Sequence, residues 1–252
     1  MASLPKCSIP VAAWMILLVA TFGDAQQEGA GTQPRVPAAF QPIADDPNLP
    51  RVLLLGDSIS IGYTQPVREL LKGRANVHRP PANCGPTTLG LEEIDAWLGT
   101  RAWDVIHFNW GLHDLKYFGP NGENLADPGA VGSLQQVPVD QYEVNLRKLT
   151  VRLKETGARL IWCSTTPVPA GAAGRVEGDS ARYNEAAARV MKSQGIPTND
   201  LFAFAKARLD EIQRPANVHF TPEGSRQLAQ EVARAILAQI SAKESGLPSS
   251  VQ

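Results

Sequence analysis

Short uninterrupted apolar runs alternate with amphipathic stretches along most of this chain, and no other feature of the sequence limits the fold as tightly. The runs are Arg51 to Gly56, Asn76 to Arg79, Trp103 to Trp110, Arg159 to Thr165 and Ile196 to Phe202. A run such as Val-Leu-Leu-Leu, with no polar residue in alternation, suits a strand buried on both faces. Apolar residues recur at helical spacing through Leu71 and over Leu89 to Leu98, Val139 to Glu155, Ala181 to Gln194 and Pro222 to Ile240. Thr221, followed by Pro222 and Glu223, marks the last helix start, with a capping hydroxyl ahead of a proline at the first helical position. Strands alternating with helices call for right-handed crossovers and a parallel sheet covered on both sides. The expected fold is α/β, a three-layer α/β/α sandwich around a parallel sheet of about five strands.

Composition narrows the class further. Of 252 residues 43% are hydrophobic, which is enough for one packed core, and 21 glycines with 20 prolines are too many for a helical bundle. Lys and Arg number 24 against 25 Asp and Glu, so no basic face for nucleic acid is expected. Three cysteines without a CxxC cluster make neither a disulfide framework nor a zinc site, and no metal or organic cofactor is expected. Lys6 followed by the apolar stretch Ile9 to Phe22 and the small residues near Ala25 reads as a cleaved export signal. That stretch is too short for a membrane span. The expected organisation is a signal peptide at 1–25, a Gln/Gly/Ala/Pro linker at 26–50, one domain at 51–240 and a tail at 241–252. In an oxidising compartment Cys84 and Cys163 could bond or could serve as small core residues.

In a parallel sheet ligands bind beyond the carboxyl ends of the strands. Two long irregular connections, Lys116 to Pro138 and Pro167 to Ser180, lie on that rim and are candidates for function. Ser58, in Gly56-Asp57-Ser58, stands where the first strand meets the first helix, as a nucleophile or as a helix cap. No GxSxG elbow is present, which disfavours the α/β-hydrolase version of serine chemistry. His219, in Val218-His219-Phe220, immediately precedes the last helix. His107, Trp110 and Trp162 are expected in the core, and His78 has no evident partner. Arg182, Tyr183 and Asn184 open a helix after the second long loop, where they could face ligand or simply pack.

Between that serine and that histidine come two glycine-containing turns, Asn83-Cys84-Gly85-Pro86 and Asn109-Trp110-Gly111-Leu112-His113-Asp114. The four blocks in this order resemble the GDSL/SGNH hydrolase family over nearly all of residues 51–240. The resemblance implies a flavodoxin-like sheet, Ser58 as nucleophile, His219 as general base, and the N–H groups of Ser58 and Gly85 as two oxyanion donors. It also places Asp57, Asn83 and Asn109 around the oxyanion and substrate site. Acyl transfer needs such parts: a hydroxyl activated by imidazole, and donors fixed where the carbonyl oxygen gains charge.

The sequence departs from the family pattern twice. The third block normally reads Gly-x-Asn-Asp, whereas here His113 stands at the Asn position, as a substitute donor or as a packing residue bonded to Asp114. The family's acid lies three residues before the histidine, where this chain has Ala216, and its neighbour Asn217 is neutral. Either a backbone carbonyl orients His219, or a carboxylate from elsewhere, such as Asp200, does so. The function expected is an exported serine esterase acting on a small ester or an acylated carbohydrate, with no stable membrane span after signal cleavage. A glycan-binding protein that lost the acid, and a sugar O-acyltransferase, are the alternatives.

Overall fold

A computed structural model describes residues 36–245 of the chain. The export signal at 1–25 and the end of the tail lie outside the described residues. Five strands form one all-parallel sheet in the order β2-β1-β3-β6-β7. They are β1 (Arg51–Leu55), β2 (Asn76–His78), β3 (Val105–Phe108), β6 (Arg159–Cys163) and β7 (Thr198–Asn199), with β4 (Tyr117–Phe118) and β5 (Leu134–Gln135) forming a separate antiparallel pair. Val52 stands level with Val77 on one side and Val105 on the other, and Phe108 with Trp162.

The helices are α1 (Ser58–Leu70), α2 (Thr87–Leu98), α3 (Val139–Lys154), α4 (Asp179–Gln194), α5 (Leu201–Lys206), α6 (Leu209–Ile212) and α7 (Pro222–Glu244). α1 packs on α7, and α2, α3 and α4 pack in a row, so the sheet is covered by two helical layers. Val52 to Leu55 are at most 1% exposed, as the continuous run in β1 requires. Burying each such side chain is worth roughly 1.5–3 kcal/mol. His107, Trp110 and Trp162 are buried, and Cys84 and Cys163 are free thiols in the core, so of the two expectations for them the packing role holds.

Three expectations about extent are corrected. Residues 36–50 are not a linker but a strap on the β2 edge, because their polar side chains are used: Asn76 Nδ2 donates to the carbonyls of Asp46 and Leu49, and Asp45 bonds His78 at 2.5 Å and Arg51 at 2.9 Å. Asp45 is thus the partner that His78 lacked in the sequence. The run from Ile196 to Phe202 yields only a two-residue strand, since Asp200 accepts from Ala203 N–H and starts α5. The last helix continues past residue 240 to Glu244.

The two long connections are tied to each other and to the sheet. The first carries the β4–β5 hairpin, and Tyr117 N–H donates to the Gly174 carbonyl of the second at 2.8 Å. Tyr183 donates its hydroxyl to Val137 O at 2.6 Å, Arg182 pairs with Asp179, and Asn184 grips both backbone groups of Thr165. Tyr183 and Asn184 thus hold loops in place, while the exposed Arg182 makes an ion pair within the first turn of α4.

Candidate active site

The corner between β1 and α1 decides what Ser58 is free to do. Capping falls to Asp57, whose carboxylate accepts from Ile59 N–H at 2.9 Å. Ser58 is therefore the first helical residue, with an N–H that has no acceptor inside the helix and a hydroxyl not spent on a cap. Its Oγ lies 2.8 Å from His219 Nε2. Asp57 is 2% exposed, beneath the site, so the expectation that it touches substrate is corrected to a cap and a buried charge.

His219 is held by the turn ahead of α7. Thr221 caps that helix by accepting from Gly224 N–H at 2.9 Å, as its sequence predicts. Upstream, Ala216 adopts φ +49° and brings Asn217 round to the histidine. Asn217 Oδ1 accepts from the His219 backbone N–H at 2.9 Å and lies 2.7 Å from His219 Nδ1. The backbone N–H can only donate, so the amide oxygen must face it, and Nδ1 must then carry the ring proton. That tautomer leaves Nε2 as the acceptor for the Ser58 hydroxyl.

The orienting group is thus neither a backbone carbonyl nor Asp200. Asp200 accepts from Ser164 Oγ at 2.8 Å and from Ala203 N–H at 3.0 Å, which commits it to the start of α5. The sequence did contain the signal, since an Asn two residues before a histidine can curl back onto both of its N–H groups. Asn217 passes unnoticed when only carboxylates are sought.

On the other side of Ser58, Gly85 has φ +54°, a left-handed conformation that favours glycine, and a Cβ there would press on Leu89 Cδ2 at 2.9 Å. Its N–H donates to Asn83 Oδ1 at 3.0 Å. A substrate oxygen reaches that N–H only by sharing or displacing the Asn83 amide. His113 is half-buried and has no hydrogen-bond partner among the described residues. Partial burial lowers its pKa, against the opposing charge of Asp57, so the ring is neutral at pH 7 with one N–H to offer.

Asn109 is corrected to a structural tie. Its amide donates to Cys163 O at 2.7 Å and to Thr165 Oγ1 at 3.3 Å, locking the exit of β3 to that of β6. Glycine at 111 permits this closeness, since a Cβ would lie 2.2 Å from Thr165 Oγ1. A groove of about 460 Å³ opens beside Ser58 and His219, lined in part by Gly62, Pro66, Phe220, Pro222 and Arg214.

A family model for GDSL-like lipases and acylhydrolases matches residues 54–227, well over half of the chain. The chain belongs to this GDSL-like lipase/acylhydrolase family. It is a serine ester hydrolase by that membership. Solved structures with the same fold include an acetyl xylan esterase, AlAXEase, at TM-score 0.59 and 16% identity, covering 74% of this chain and 99% of the other. A lipase/acylhydrolase from Enterococcus faecalis gives TM-score 0.59 at 17% identity, covering 74% and 95%. An acetylxylan esterase from Geobacillus stearothermophilus gives 0.57 at 16%, covering 80% and 96%. No curated protein matches the chain in sequence.

In this GDSL-like chain Asp114 does not bond His113. Its Oδ1 accepts from the N–H and the hydroxyl of Thr87 at 2.8 and 2.5 Å, joining the third block to the start of α2, while Oδ2 is buried without a partner. Burial raises its pKa to about 7, although the Thr87 bonds pull the other way. An unfolded carboxyl titrates near pH 3.9. Between there and about 7 the folded protein keeps a proton that the unfolded chain has released, so stability falls as pH rises through that window. The expected result is a higher melting temperature at pH 5 than at pH 8, with a flatter profile in Asp114→Asn. An unchanged slope in that variant assigns the effect to another group.

Proposed function

We propose that the protein is an exported esterase that removes small acyl groups, O-acetyl above all, from carbohydrate through an acyl-serine intermediate. The observation that carries this reading is the 2.8 Å contact between Ser58 Oγ and His219 Nε2, with the tautomer of the ring fixed from behind by Asn217. In the proposed mechanism Ser58 Oγ attacks the acyl carbonyl as its proton passes to Nε2. The charge arriving on the carbonyl oxygen is met by the N–H groups of Ser58 and Gly85 and by the His113 ring. His219 then returns the proton to the leaving alcohol, and water repeats the sequence to free the acid. No carboxylate touches the imidazolium, but the buried charge of Asp57 acts on it and favours its cationic form.

Carbohydrate as the alcohol is supported by the polar, glycine-rich connections on the rim, by the groove beside Ser58 and by the acetyl xylan esterases that share the fold. Export rests on the Lys6 to Ala25 sequence, and among the described residues no helix is long and apolar enough to cross a membrane. Acetate release from acetylated oligosaccharides by the purified protein tests the reading. Binding without release supports a glycan-binding protein, and acetyl transfer to an added sugar supports the acyltransferase.

The pH profile follows from the base. Partial burial lowers the His219 pKa, Arg175 and Arg214 lower it further, and Asp57 opposes them. The base works only when neutral, so the acid limb of kcat/KM is expected below the ordinary imidazole value of about 6.5. A limb at or above that value, read with a soluble acetate ester, contradicts this assignment.

A further inference from the structure

Arg79 is buried and Arg175 half-buried, and they differ in how their donors are used. Arg79 has an acceptor for every N–H: Pro80 O, Ser60 Oγ, Thr64 Oγ1, Gly56 O and Ala82 O. Such saturation is what a structural guanidinium needs, since its five donors are costly to bury unpaired. Arg175 donates from Nε to Leu112 O at 3.1 Å and from one terminal nitrogen to Ala173 O at 3.3 Å. Three of its five N–H groups have no acceptor among the described residues, and no carboxylate lies within 4.0 Å.

A second cation joins it. Lys116, at the start of the first long connection, is half-buried, its ammonium 5.0 Å from the Phe118 ring and likewise without an acid inside 4.0 Å. Burial disfavours the charge on both side chains, and Arg175 disfavours that of Lys116 further. The carboxylate of Asp57 eases Arg175 but lies buried under the site and already accepts from Ile59 N–H. Arg175 Nε bonds the carbonyl of Leu112, the residue before His113, and Lys116 follows His113 by three positions; both cations act electrostatically on His113, and Arg175 acts on His219 as well, so both stand close to the site.

We infer that Arg175 and Lys116 form a carboxylate-recognising subsite beside the oxyanion site, and that the preferred ester bears a carboxylate. A planar guanidinium end with free N–H groups suits a carboxylate fork, and the ammonium adds a point charge. Asp57 offsets part of the positive charge, which favours a monoanion over a dianionic phosphate. The carboxylate belongs either to the sugar, as in a uronate, or to the acyl group, as in a half-ester of a diacid. This inference deepens the proposed esterase function and rests on it.

The test compares kcat/KM across two pairs of substrates. One pair is 4-nitrophenyl hemisuccinate against 4-nitrophenyl acetate, and the other is an O-acetylated galacturonate oligosaccharide against an O-acetylated xylo-oligosaccharide. In at least one pair the wild type should favour the anionic member tenfold or more, and the pair that does so identifies the source of the carboxylate. That preference should shrink with rising salt and fall at least fivefold in Arg175→Met and in Lys116→Met. Lys116→Met keeps the test sound if losing the Leu112 bond disturbs the loop in the arginine variant. No anionic preference in either pair, or a preference that survives both substitutions, overturns the inference. Failure to cleave even 4-nitrophenyl acetate is a different result, which removes the esterase reading itself.

Discussion

Ser58→Ala should abolish ester hydrolysis to within the residue that binding and oxyanion donors alone can supply, a fall of about 10⁴–10⁶ in kcat. Stability should change little, by about 1 kcal/mol or less, because Asp57 rather than Ser58 caps α1 and the lost hydroxyl has His219 as its partner. An organophosphonate should label Ser58 and no other serine. Ser60 cannot stand in, since it is 2% exposed and its hydroxyl accepts from Arg79 at 3.1 Å. Wild-type turnover in a folded Ser58→Ala protein removes this serine from the mechanism.

The second large effect is expected at Asn217. In a serine protease, changing the triad acid to Asn costs about 10⁴ in kcat because the amide selects the wrong tautomer of the histidine. Here the His219 backbone N–H pins the amide oxygen towards Nδ1, so the same residue type selects the productive one. Asn217→Ala frees the ring to rotate and to change tautomer, and should cost about 10²–10⁴ in kcat. Asn217→Asp keeps the acceptor and adds a charge against the imidazolium, worth about one to three pKa units. Its rate should rise about tenfold or more, and its acid limb should move to higher pH. Equal rates in Asn217→Ala and the wild type, with melting temperatures matched, show that His219 needs no orienting partner.

Much of the architecture was legible in the sequence, because a strand buried on both faces lacks the polar alternation of a half-exposed one. β1, β3 and β6 announce themselves as Val-Leu-Leu-Leu, Val-Ile-His-Phe and Leu-Ile-Trp-Cys, and the helices between them keep helical spacing. β7 was overread because an apolar run does not distinguish a strand from the first turn of a helix, and only Asp200 marks the change. The strap at 36–50 was missed for the opposite reason. Its hold on the domain comes from Asp45, Asp46 and Asn76, polar residues whose partners lie far away in sequence.

At the site, Ser58 and His219 stood out as chemistry-bearing residues at element boundaries, and they meet. Asn217 and Arg175 did not stand out, because an amide and a loop arginine gain their meaning only from where the backbone turns. Asp57, Asn109 and Asp114 drew notice by type and serve chiefly as ties. Polar residues of the same kinds act and brace within a few positions of one another, and only the acceptors around them tell the two apart.

The lengths of the outer strands bear on how this protein behaves at high concentration. β2 has three residues and β7 has two, so the rims of the sheet expose very little unpaired backbone. A neighbouring molecule seeking to extend the sheet finds almost no ladder to continue, and at β2 it also meets the side-chain bonds that fasten the strap. Blunt rims of this kind guard against edge-to-edge aggregation. Shortening the chain to begin at Arg51 would give part of that protection away.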